Sequence, residues 1–140
     1  INNNHVSSRL RGWLLFHPRK AGLPLVKIGT WEEVEGYDTA FQTYRMWTPS
    51  EGILWKRGSV FQQVALAGTD EKGRILFFFH PGFLDVHDLV AKILDLDLGL
   101  TGLLYLDGGH HGGLYLTPEL GDSWNSEIVL PNLLGIKAAP

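Results

Sequence analysis

The sequence predicts an α+β fold: a mixed, mostly antiparallel sheet with one main helix. Three observations carry that expectation. Only one stretch, about Asp85 to Leu96, has helical periodicity, with Val86, Leu89, Val90, Ile93 and Leu94 falling on one stripe. Elsewhere the apolar residues come in short runs rich in β-branched and aromatic side chains. Seventeen glycines and seven prolines divide those runs with turns. The order strand–helix–strand occurs once and hairpins dominate the rest, which makes the class α+β with a mostly antiparallel or mixed sheet.

In chain order, residues 1–11 are expected to form an extended or disordered segment, and residues 12–140 a single domain. Gly12 to His17 (GWLLFH) reads as a buried strand, turned by Pro18 to Gly22, and Leu23 to Ile28 as a second strand. Thr30 can cap one or two helical turns, with Glu33 three residues on completing a capping box. Phe41 to Trp47 alternates loosely and reads as a strand, followed by a turn at Thr48 to Gly52 and a short strand from Ile53. Val60 to Ala67 is a further strand, although Gln62 and Gln63 interrupt its apolar character and at least one should face solvent or a site. Thr69 to Gly73 forms a hairpin turn into the strand Arg74 to His80. Asp85 is placed to cap the helix, and Gly99 to stop it. Gly102 to Leu106 is a buried strand, Leu114 to Thr117 another, and Glu127 to Leu130 a last one.

Composition narrows the function. A net charge of -3 and the absence of a Lys/Arg run argue against a nucleic-acid surface. No cysteine is present, so thiolate metal sites are excluded. The apolar runs are far too short for a transmembrane segment. No GxSxG, P-loop, HExxH or GxGxxG motif occurs, and no cofactor is implied.

The stretch with most chemical potential is Asp107-Gly108-Gly109-His110-His111-Gly112-Gly113, held between two apolar segments. Asp107 follows a buried strand, where a carboxylate can be mounted rigidly in a partly desolvated cleft as a general acid, base or hydroxyl acceptor. Gly108 and Gly109 let backbone N–H groups approach an anion. His110 and His111 can shuttle a proton, contact phosphate or offer a metal ligand. Asp-Gly is also a common turn pair, so the same residues can simply join two strands. His80, Asp85, His87 and Asp88 form a second polar cluster without a recognised metal-ligand spacing; His80, at a strand end before Pro-Gly, is its most site-like member. Arg45 can read phosphate bidentately. The five tryptophans belong mostly to the core, with one or two placed to stack on a sugar face.

Taken together, these residues resemble the phosphodiester glycosidase domain family. LLYLDGGHHGGLYL is similar to its signature of hydrophobic strand, Leu-Asp-Gly-Gly, small residues and a second strand. GWLLF resembles an earlier family strand, Phe41 to Met46 its Gln-Ser-Gly-Pro-Arg-Leu segment, and Val60 to Phe79 its hairpin before the helix. The similarity spans about Gly12 to Thr117, and the order of segments is more specific than any one of them. The resemblance implies hydrolysis of a sugar 1-phosphodiester or related glycan, and so a carbohydrate or sugar-phosphate ligand. In that reading Asp107, His110 and His80 are catalytic, while Arg45, Gly108, Gly109, His111 and Gln63 bind substrate. Gln63 stands where the family has an arginine, and the two histidines where it has small hydroxyl residues. The family's N-terminal Asn-Gly-Gly/Ala-x-Phe motif has no match in these residues. The chain is therefore expected to be the C-terminal part of a longer domain, with an N-terminal portion of the same polypeptide as a partner. Secretion or periplasmic export is a further implication of the resemblance. A non-catalytic glycan- or partner-binding domain on the same fold is the alternative, and a metal-assisted hydrolase using His80, Asp107, His110 and His111 the third.

Overall fold

A computed structural model of the chain describes residues 6–108, 113–121, 123 and 134–136. It is an α+β fold in which every strand pairing is antiparallel among the described residues.

A three-stranded sheet is built first. β1 (Gly12–Pro18) pairs on one side with β2 (Val26–Gly29) and on the other with β3 (Tyr37–Thr43). Between β2 and β3 runs a 3-10 helix, Trp31–Gly36, entered as the sequence predicts: the Thr30 N–H donates to Glu33 Oε2 at 2.9 Å, and Glu33 is also paired with Lys27. The helix covers one face of the sheet, where Trp13, Leu15, Val34 and Tyr37 form a small core. Just ahead of β1, Ser7 and Leu10 are tied to the sheet through the Gln42 side chain. Gln42 accepts from the Ser7 N–H at 3.0 Å and donates to the Ser7 carbonyl at 2.8 Å.

The second sheet has five strands in the order β5-β4-β10-β7-β8: β4 (Arg45–Thr48), β5 (Gly52–Ile53), β7 (Val64–Asp70), β8 (Ile75–His80) and β10 (Leu100–Gly108). A separate ribbon pairs β6 (Val60–Phe61) with β9 (Leu84–Asp85), next to helix α1 (Val86–Leu94). The run Phe41 to Trp47 is thus two strands in different sheets, broken at Tyr44. Val60 to Ala67 is likewise two, broken at Gln62-Gln63. Leu114 makes one isolated bridge and Tyr115 to Thr117 are not paired in a strand, so the strand expected there does not form; the one expected at Glu127 to Leu130 lies outside the described residues.

The hairpin between β7 and β8 is held by Asp70. Its carboxylate accepts from the N–H groups of Lys72 (3.0 Å) and Arg74 (2.8 Å) and from the Arg74 guanidinium (2.7 Å). These bonds offset the cost of burying Asp70 and keep its pKa below the ordinary 3.8.

Layering depends on which residues share a face. Val86, Leu89, Val90 and Ile93 of α1 pack on Met46, Val64, Leu66 and Leu103, the main core. The opposite face of β10 meets the three-stranded sheet. Gly102 lies under Ile28 of β2, and Gly12 of β1 under the Leu104 side chain. Among the described residues no helix is long and apolar enough to cross a membrane.

The Gly12 contact gives a direct test of this packing. A Cβ there would run into Leu104 and lie 3.2 Å from both Arg45 N and Thr43 O. Gly12→Ala is expected to destabilise the fold by about 1–3 kcal/mol, the usual cost of overpacking, read as a lower urea midpoint with unchanged slope.

Candidate site at the end of the central strand

β10 ends at Asp107-Gly108, and its register fixes what lies beside that end. Gly108 is opposite Val64 of β7, which is opposite His80 of β8; Asp107 is opposite Ala65, which is opposite Phe79. With strands about 4.8 Å apart, the backbones of Gly108 and His80 lie roughly 10 Å from one another across one row of the sheet. The register slips between Tyr105 and Asp107, where two steps along β10 match one along β7. Such a bulge bends a strand end and re-aims the residues beyond it. Gly109, His110 and His111 lie outside the described residues, as does the side chain of Asp107.

His80 is held by the turn directly after it. The Gly82 N–H reaches Nδ1 at 3.2 Å, and the Gly82 carbonyl oxygen is 2.9 Å from the same nitrogen. Nδ1 thus belongs to the turn, and Nε2 is the atom through which His80 can meet a ligand. Gln63, one residue before Val64, is buried at the β6–β7 break, only 7% exposed. It adjoins the row, one residue ahead of Val64, and does not open onto solvent.

Arg45 goes elsewhere. It is paired with Leu104, and paired residues project from the same face. That face is the one against the three-stranded sheet, whereas Val64 and His80 share the face that carries α1. The guanidinium accordingly donates to the Gly29 carbonyl at 3.3 Å and to Glu51 at 3.4 Å, while its buried Nε has no partner among the described residues. The structure does not bring Arg45 and His80 together.

The second polar cluster is structural. The Asp85 carboxylate caps α1, accepting from the His87 N–H at 2.8 Å, and reaches back to the Gly58 N–H. Asp88 faces Arg57 at 3.4 Å and His87 at 3.4 Å. Among the described residues no three histidine, aspartate or glutamate side chains gather as a metal site.

What the sequence does not single out is a group of four rings beside the strand end: Tyr44, Trp55, Phe61 and Tyr105. Trp55 and Tyr105 lie 5.5 Å apart at 31°, and Phe61 and Tyr105 6.2 Å apart at 40°. Tyr44 stands edge-on to Trp55 at 5.8 Å and 86°. The partial signals are the tryptophan content and the alternation in LLYLD, which puts Tyr105 on the Leu103 face. Which tryptophan joins it depends on the path of residues 54–63. That path is pinned at both ends and in the middle. Leu54 N–H donates to Met46 O at 2.9 Å, Val86 N–H to Ser59 O at 3.0 Å, and β6 pairs with β9.

Comparison of the chain with family models, curated proteins and solved structures finds no match.

The Asp85 bonds carry a pH signature. Chiefly the Gly58 N–H, then the His87 N–H, hold its carboxyl below the ordinary 3.8. A depressed carboxyl contributes stability that is present above its unfolded value and lost as pH falls through the folded one. The stability difference between wild type and Asp85→Asn should therefore be largest near neutral pH and shrink as the pH drops below 3.8. Urea unfolding across the acid range measures it, and a difference independent of pH would contradict the assignment.

Proposed function

We propose that the chain is a carbohydrate-active domain of the glycoside hydrolase type, acting on a sugar 1-phosphodiester or related glycan at the C-terminal end of β10. The observation that carries this reading is the row Gly108–Val64–His80. It sets the start of the Asp-Gly-Gly-His-His segment beside a histidine whose orientation is fixed by its own turn. The resemblance to phosphodiester glycosidases supplies the reaction and, with it, a secreted or periplasmic setting.

Chemically the arrangement is coherent. Asp107 acts on the glycosidic linkage or holds the sugar. Gly108 and Gly109 offer backbone N–H donors to the phosphate, and His80 or His110 handles the proton. A phosphodiester leaving group needs charge stabilisation more than strong acid catalysis, so aligned N–H donors matter most.

A second reading, a glycan-binding domain without catalysis, is favoured by one specific observation. Arg45, the guanidinium that the resemblance assigns to phosphate, is committed to Gly29 and Glu51 on the other side of the sheet. Gln63, where the resemblance expects an arginine, leaves one cation fewer next to the row.

Sugar release from α-glycosyl 1-(methyl phosphates) in gluco-, manno- and N-acetylglucosaminyl form separates the two. The hydrolase reading predicts turnover that falls by about 10²–10⁴-fold in Asp107→Asn, the usual contribution of a positioned acid or base, with the fold retained. Saturable binding without turnover in the wild type selects the second reading. Turnover abolished by a chelator would instead assign the chemistry to a metal held by His80, Asp107, His110 and His111.

A further inference from the structure

We infer that His80 is the general base of the proposed reaction, with its own proton on Nδ1 and the lone pair of Nε2 offered to the ligand. The inference rests on the hydrolase reading and adds to it which ring nitrogen works, in which form, and what holds it there.

One nitrogen faces two backbone groups of the same residue. The Gly82 carbonyl oxygen lies 2.9 Å from Nδ1, and the Gly82 N–H reaches it at 3.2 Å. A neutral imidazole has a proton on only one nitrogen, so Nδ1 either donates to the oxygen or accepts from the N–H. The distances decide between them. Without a proton on Nδ1, two acceptors would face one another at hydrogen-bond distance, where their lone pairs repel. With the proton there, the shorter contact becomes a hydrogen bond and the longer one gives way. The ring is therefore the Nδ1–H tautomer, and Nε2 is an acceptor.

The turn that imposes this form is itself held. Pro81 has its own φ fixed by its ring. The segment Pro81-Gly82-Phe83 joins two paired strands, with His80 opposite Val64 at one end and Leu84 opposite Phe61 at the other. His80 is half-buried, and its Nε2 has no hydrogen-bond partner among the described residues. Its place is in the row that ends at Gly108.

The proton this reaction must move belongs to water. A phosphate leaving group holds its own negative charge, so it departs without being protonated. As the water oxygen bonds to the anomeric carbon, the bond from that carbon to the phosphate oxygen breaks and its electron pair stays on the oxygen. One water proton passes to Nε2 and later returns to solvent. The Nδ1–H bond to the Gly82 carbonyl is made before and after that transfer, and it strengthens once the ring is charged. The ring therefore keeps one orientation through the cycle, and Gly82 is its positioning residue.

Nitrogen–proton correlation spectra of the histidine rings in the full wild-type chain, above the pH range in which imidazole is charged, test the tautomer directly. His80 should hold its proton on Nδ1, the minor form of free histidine. His80→Ala should lower turnover of the α-glycosyl 1-(methyl phosphate) by about 10²–10⁴-fold, and added imidazole should recover at least about tenfold of it. A proton on Nε2 in the folded chain overturns the inference. So does wild-type turnover in His80→Ala, or a loss that imidazole does not relieve while the urea midpoint stays at the wild-type value. The two readings fail separately. Turnover that depends on Asp107 but not on His80 removes the base and leaves the hydrolase. Absence of wild-type turnover on every sugar 1-phosphodiester removes the hydrolase and the base together, whichever nitrogen holds the proton.

Discussion

Both faces of β10 are buried, and the rest of the molecule is arranged around meeting that requirement. Leu103 faces α1 and its core; Gly102 and Leu104 face the three-stranded sheet. A strand enclosed in this way cannot slip by one residue without sending Leu103 to the wrong layer. Register, once fixed, decides which residues of β7 and β8 stand beside the strand's end. Asp107 and Gly108 stand at that end. The glycines inside the sandwich serve another purpose. Gly12 and Gly102 let the two sheets come close enough to exclude water from the strand between them.

Much of this was legible in the sequence because it depends on local rules. The stripe of Val86, Leu89, Val90 and Ile93 is a helix face wherever it packs, and Asp85 is a cap because its short side chain can reach the His87 N–H. The Thr30–Glu33 box and the Asp70 hairpin are also local hydrogen-bond problems with few solutions. The break at Tyr44 was not legible, since FQTYRMW keeps its alternation while passing from one sheet to another. Gln62 and Gln63 interrupt the apolar character of Val60 to Ala67, but that run too reads as one strand and is two. Leu114 to Thr117 shows the reverse error: strong β-propensity without a partner strand among the described residues gives only an isolated bridge, because sheet preference is mostly packing against neighbours.

The site divides in the same way. Asp107 and His80 could be picked out as strand-end residues, and the sheet register sets their backbones in neighbouring rows. Arg45 could not be placed, because its face is decided by an extra residue in β4 opposite Leu103 and Leu104, which no periodicity reveals. The aromatic cluster is a product of tertiary structure, with Tyr44, Trp55, Phe61 and Tyr105 arriving from three separate segments. Asp85 links it to the helix, since one carboxylate both caps α1 and holds Gly58 in the loop that carries Trp55 and Phe61.

Ligand is expected to meet this chain at the end of β10. Amide chemical-shift mapping by NMR during titration with α-glucopyranosyl 1-(methyl phosphate) tests it most directly. The shifts should gather on Val64, His80, Asp107 and Gly108, leaving Gly29, Arg45 and Glu51 still. Shifts confined to Gly29, Arg45 and Glu51, or none at saturating ligand, would contradict it.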